Sequence, residues 1–130
     1  MPGSTLRVAL LSEVFPNGAA DLERLVRRLA SARGEGAELV VLPELALNPW
    51  SPATPVPREE DAEPPGGPRH RALATAARQA GIAVLGGAIV RHPTSGVRRN
   101  VALLLDAAGE LLGSYAKLHL PDEEGFHEPA

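Results

Sequence analysis

Cysteine is absent from the 130 residues, which excludes disulfides, thiolate zinc sites and every thiol nucleophile from within the chain. An excess of basic charge is also missing. Thirteen Lys and Arg against 16 Asp and Glu give a net charge of −3, without the surplus that neutralises nucleic-acid phosphates. No apolar run approaches the roughly 20 residues that span a bilayer. The opening run Val8–Leu11 is too short for a signal-peptide core and soon meets Glu13. No nucleic-acid or membrane partner is expected, and the expected address is the cytoplasm. The motifs G-x-G-x-x-G, G-x-x-x-x-G-K-[ST] and G-x-S-x-G do not occur, so dinucleotide binding, phosphate cradling and serine-hydrolase chemistry lack motif support.

What is present fits one folded domain. Hydrophobic residues make up 44% and charged residues 22%, near the average of soluble globular proteins. Leu6–Ser12 reads as a short buried strand that ends at a Pro16-Asn17-Gly18 turn. From about Ala20 to Arg33, Leu22, Leu25, Val26 and Leu29 fall on one helical face and Arg24, Arg27 and Arg28 on the other. Asn17 or Asp21 is the expected cap, and Gly34 and Gly36 are placed to stop this helix. Leu39–Leu42 is a continuous apolar strand, of the kind covered on both faces, closed by Pro43. Residues 48–68 carry seven of the 13 prolines and read as an exposed loop. A helix over Arg69–Gly81, a strand over Ile82–Val90, a turn at His92–Gly96, and strands Val101–Asp106 and Leu111–Tyr115 complete the pattern. A loop is expected from Ala116 onward. The βαβαβ order predicts an α/β fold with a mostly parallel sheet, helices on one face and hairpin-linked strands added later.

Few residues are placed to do chemistry. Reactive groups of open α/β sheets sit beyond the carboxyl ends of the strands. Glu44, in Leu42-Pro43-Glu44-Leu45, has that position. At the rim of a desolvated pocket it would serve as a general base; taken alone, it is more often a solvated carboxylate. Lys117 follows the fifth predicted strand, where an ammonium can face a developing oxyanion, although a lone Lys there is usually surface charge. Glu124 and Glu128 lie in what reads by composition as an acidic tail. His119 and His127 are eight apart, a spacing that fits no helical metal pair, so no metal site is expected.

The segments Leu6–Leu11, Glu38–Leu45, Asn100–Asp106 with Gly109, and Tyr115-x-Lys117-x-His119-x-Pro121 together resemble the nitrilase, or carbon–nitrogen hydrolase, superfamily. The order matches over nearly the whole chain, with 73 residues between Glu44 and Lys117. Lys117 through Glu128 is similar to the branch that hydrolyses N-carbamoyl amines. The resemblance implies an αββα sandwich and a Glu–Lys–Cys site in which a thiolate attacks an amide or nitrile carbon, without metal or organic cofactor. Carried over by position, Glu44 is the general base, Lys117 the cation that stabilises the tetrahedral intermediate, and Glu128 a second, supporting glutamate.

In that family the nucleophilic cysteine lies downstream of the lysine motif, and members are roughly twice this length. The resemblance therefore covers an amino-terminal half, residues 1–130 forming a carbon–nitrogen hydrolase domain truncated before its nucleophile. The expected substrate is a small amide, N-carbamoyl compound or nitrile. Catalysis would require a cysteine-bearing second half; a homo-oligomer is the other expected association. Two alternatives stand beside this one. The chain could be a non-catalytic interaction protein that retains the half-fold, or an unrelated nucleotide-binding module supported only by element order.

Overall fold

Leu22, Leu25, Val26 and Leu29 can be buried together only if the chain is helical there. In the computed structural model, which describes residues 3–49 and 58–118, they line the inner face of α1 (Ala19–Gly34), with Leu25 and Leu29 fully buried. On the outer side Arg24 and Arg28 both pair with Glu13, and the Arg24 guanidinium lies 4.5 Å over the Phe15 ring. Neither expected residue occupies the cap. Gly18 does, at φ 56, a conformation that favours glycine. Asp21, inside the first turn, instead accepts the backbone N–H of Asn17 at 2.8 Å.

The second helix, α2 (Pro68–Ala80), starts on a proline, whose missing N–H costs nothing in a first turn, and stops at Gly81 in the left-handed conformation. Its amino end is capped from upstream. Glu63 is 2% exposed and accepts the backbone N–H groups of Arg69 and His70 at 2.9 and 3.1 Å, a placement the helix dipole favours.

Both helices cover one face of a six-stranded sheet. The strands are β1 (Val8–Leu10), β2 (Leu39–Val41), β3 (Ala62–Glu63), β4 (Ala83–Arg91), β5 (Arg98–Leu105) and β6 (Leu111–Ala116). Their order is β1-β2-β4-β5-β6, with β3 also pairing β4. The fold class is α/β, as expected, but the sheet is mixed rather than mostly parallel. β1, β2 and β3 pair in parallel, whereas β4, β5 and β6 form an antiparallel meander whose first ladder runs from Val84↔Leu105 to Arg91↔Arg98. The reason is local: short turns at 92–97 and 106–110 permit only antiparallel returns.

The expected exposed loop over 48–68 is also corrected in its described part. Glu59–Asp61 form a 3₁₀ turn, and β3 joins the sheet with Glu63 buried. Backbone pairing to Ile89 and Val90 outweighs the lack of apolar periodicity.

Register divides the sheet into two faces. Val40, Val84 and Leu105 align, are fully buried, and pack with Leu25, Leu29 and Leu73 of the helices. Gly86 belongs to this side, where a Cβ would lie 2.7 Å from the Leu73 side chain. The opposite side carries Val8, Leu10, Leu39, Val41, Leu85 and Leu104 in register, together with Tyr115. It is apolar yet open: Leu10 is 79% exposed and Tyr115 60%.

Two outcomes follow from these faces. Gly86→Val, driven into buried Leu73, should lower unfolding free energy by roughly 1–3 kcal/mol, as overpacking does, and urea denaturation measures it. The open face should make the isolated chain self-associate; sedimentation velocity across a concentration series should show the mean mass rising, and a monomer throughout would contradict it.

Candidate functional site

Glu44 follows β2 by three residues, after Leu42 donates its N–H to the Leu85 carbonyl at 3.0 Å and keeps the chain beside β4. Leu45 then adopts φ 50, the single positive-φ non-glycine position among the described residues. A left-handed leucine costs free energy, and it turns the chain sharply just past the carboxylate. The turn is held by the Asn48 N–H to the Leu45 carbonyl, 3.0 Å, and by the Phe15 N–H to Ala46, 2.7 Å.

Lys117 arrives from the other direction, immediately after β6, with its backbone N–H donated to the Asn100 carbonyl at 2.8 Å. Its ammonium Nζ lies 2.8 Å from Glu44 Oε1. Two of the three residues singled out in the sequence therefore meet. The third, Glu128, lies outside the described residues, as do His119, Glu124 and His127. The described residues do not provide the desolvated surroundings expected for Glu44, whose side chain is 55% exposed beside a Lys117 side chain at 34%.

A further residue joins them. Asn100, 5% exposed, donates its side-chain Nδ2–H to the same Glu44 Oε1 at 2.9 Å. The expected strand begins at Val101, which leaves Asn100 between it and the turn at His92–Gly96, with no role beyond opening the family-like segment Asn100–Asp106. The usable signal was a polar residue bordering the apolar run Val101–Leu105: β5 begins at Arg98, and Asn100 faces the open side, opposite Ile89.

These groups border a cavity of about 290 Å³ on the open face, where Leu42, Leu45, Leu85, Gly87, Ala102 and Tyr115 supply apolar walls. Lys117 is the only cation among its lining residues. A larger cavity, about 330 Å³, lies away from them beside Phe15 and Pro68. The charged groups on its border include Glu63 and Arg69, which pair with each other at 3.5 Å and serve the start of α2. The smaller one has the groups suited to chemistry: a carboxylate that can accept a proton, an ammonium that can face an anion, and a polar amide beneath them.

The sequence matches the carbon-nitrogen hydrolase family over residues 8–130, and the chain belongs to that family. Solved structures agree. An amidase from Nesterenkonia sp. superimposes with a TM-score of 0.71 at 27% identity, over 100% of this chain and 50% of that one. A carbon-nitrogen hydrolase from Helicobacter pylori G27 shares the fold with a TM-score of 0.76 at 21% identity, over 95% and 43%. A glutamate-to-leucine mutant of the Nesterenkonia sp. AN1 amidase, solved with the acetamide moiety of fluoroacetamide covalently added at its active-site cysteine, matches with a TM-score of 0.69 at 25% identity, over 96% and 48%. The chain thus spans about half the length of these structures. Its mixed sheet with two helices corresponds to half of a nitrilase-type sandwich, which removes the support for an unrelated nucleotide-binding module.

An ion pair this exposed contributes little to stability, about 0–1 kcal/mol. Glu44→Gln, which keeps Oε1 for Asn100, should therefore unfold within about 1 kcal/mol of the parent chain in urea, and a larger loss would mean that the pair is structural.

Proposed function

We propose that this chain supplies the glutamate and lysine of an amidase-type carbon–nitrogen hydrolase site acting on a small non-peptide amide. One observation carries the reading: Glu44 and Lys117, 73 residues apart, meet at 2.8 Å on the border of a cavity. Family membership and the acetamide adduct on the cysteine of a relative support it.

The sequence has no cysteine, so the proposed thiol comes from polypeptide outside these 130 residues, seated over the open face. Glu44 takes the thiol proton as sulfur bonds to the amide carbon, and the carbonyl electron pair moves to oxygen. The ammonium of Lys117 stabilises that oxyanion. As the intermediate collapses, the C–N bond breaks and the proton on Glu44 passes to the leaving amine. Water then gives a proton to Glu44 and attacks the thioester, which releases the acid and restores the thiol. By its position in the family motif, Glu128 is the proposed second, supporting glutamate. Within this class, the segment Lys117–Glu128 favours N-carbamoyl amines among the amides, and the proposed setting is the cytoplasm.

A second reading has its own support. The apolar open face, with Leu10, Leu112 and Tyr115 well exposed, would also suit an interaction protein that keeps the half-fold without chemistry. Membrane-spanning helices do not enter either reading, since no helix among the described residues is long and apolar enough to cross a membrane.

The purified chain alone should release no ammonia from N-carbamoyl amines or small aliphatic amides, and mass spectrometry should find no acyl adduct. A chimera that continues residues 1–130 into the cysteine-bearing half of the Nesterenkonia amidase should turn over small amides. In it, Glu44→Gln or Lys117→Ala should each lower kcat by about 100-fold or more. Turnover by the chain alone would overturn the external thiol. A folded chimera that is inactive, or indifferent to both substitutions, would favour the interaction protein.

A further inference from the structure

The exposed pair Glu44–Lys117 does not explain its own geometry. Both side chains are long and partly solvated, and such pairs gain too little, about 0–1 kcal/mol, to hold one arrangement against side-chain entropy. Something more rigid must fix them. The buried residue that touches both is Asn100.

We propose that Asn100 is the positioning residue of this site, holding the carboxylate of Glu44 through its side chain and the backbone of Lys117 through its main chain. Its backbone is fixed by the β4–β5 ladder opposite Ile89, and at 5% exposure its side chain has little room for other rotamers. Its Nδ2–H donates to Glu44 Oε1 at 2.9 Å, and its carbonyl accepts the Lys117 N–H at 2.8 Å. One residue thereby sets the position of the acceptor and the origin of the side chain that carries the ammonium.

The amide suits the task chemically. It donates to an anion without adding charge, whereas a carboxylate at this position would repel Glu44. Both recorded bonds to Glu44 fall on Oε1. Among the described residues Oε2 accepts none, which leaves it as the oxygen open to a proton. Asn100 itself acts through Glu44 and Lys117 and is not a catalytic residue.

The inference rests on the reading of those two as base and cation. Its test reads their geometry rather than turnover, so each can fail separately. In the labelled 130-residue chain, NMR should detect scalar coupling through the hydrogen bond between Asn100 Nδ2 and Glu44 Cδ; its absence would overturn the proposal. In Asn100→Ala the backbone carbonyl remains, so protection of the Lys117 amide from hydrogen exchange should persist. Exchange of the Lys117 ammonium protons with water should quicken about tenfold, the effect of losing one hydrogen bond to a charged group. Asn100→Leu, close in shape and suited to a strand, carries the same expectation should the alanine variant fail to fold. Unchanged ammonium exchange, or loss of amide protection together with it, would make Asn100 a structural brace only.

Discussion

Glu44 Oε1 accepts from two donors that arrive from different strands, Asn100 Nδ2 at 2.9 Å and Lys117 Nζ at 2.8 Å. That shared acceptor exists only because the sheet runs β2-β4-β5-β6. The turn after β2 stays beside β4 through the Leu42 N–H, β5 brings Asn100 alongside β4, and β6 returns the chain so that Lys117 bonds to Asn100. Were β5 and β6 linked by a parallel crossover, the end of β6 would lie at the other end of β5, away from Asn100.

The division of the sheet into a covered and an open face serves the same arrangement. The helices need Val40, Val84 and Leu105, and the tight seat of Leu73 over Gly86 locks α2 to the central strand. Among the described residues no helix covers the other side, and there the carboxylate, amide and ammonium border one cavity with Gly87 and Ala102. Fold stability and chemistry thus draw on opposite surfaces of the same strands, which is why an exposed ion pair can be spared as a contributor to stability.

Much of this was legible beforehand. The periodicity of Leu22–Leu29 gives α1 to within about a residue at each end, and the helix expected over Arg69–Gly81 stops at Gly81 in the structure. The continuous run Leu39–Leu42 signals burial on both faces, yet in this chain only the Val40 side is covered; periodicity reports what a strand can bury, not what is there to bury it. Asn100 enters the sequence only as the first residue of a family-like segment, without a role, because side-chain type at a strand's first residues does not show where the ladder begins. Cap chemistry failed at Gly18 because backbone conformation, invisible in composition, decided which residue stood there. The encounter of Glu44 with Lys117 could be inferred from resemblance, but no local pattern encodes a contact across 73 residues.

That separation bears on how the charged pair is assembled. The β4–β5 hairpin closes over a few residues, and β1, α1 and β2 are neighbours in sequence, so their association demands little loop entropy. The ammonium, by contrast, is delivered by the last described strand. A partly folded chain that lacks this final return has a lone carboxylate and no cation beside it, so the paired charges come into being only as the meander is completed.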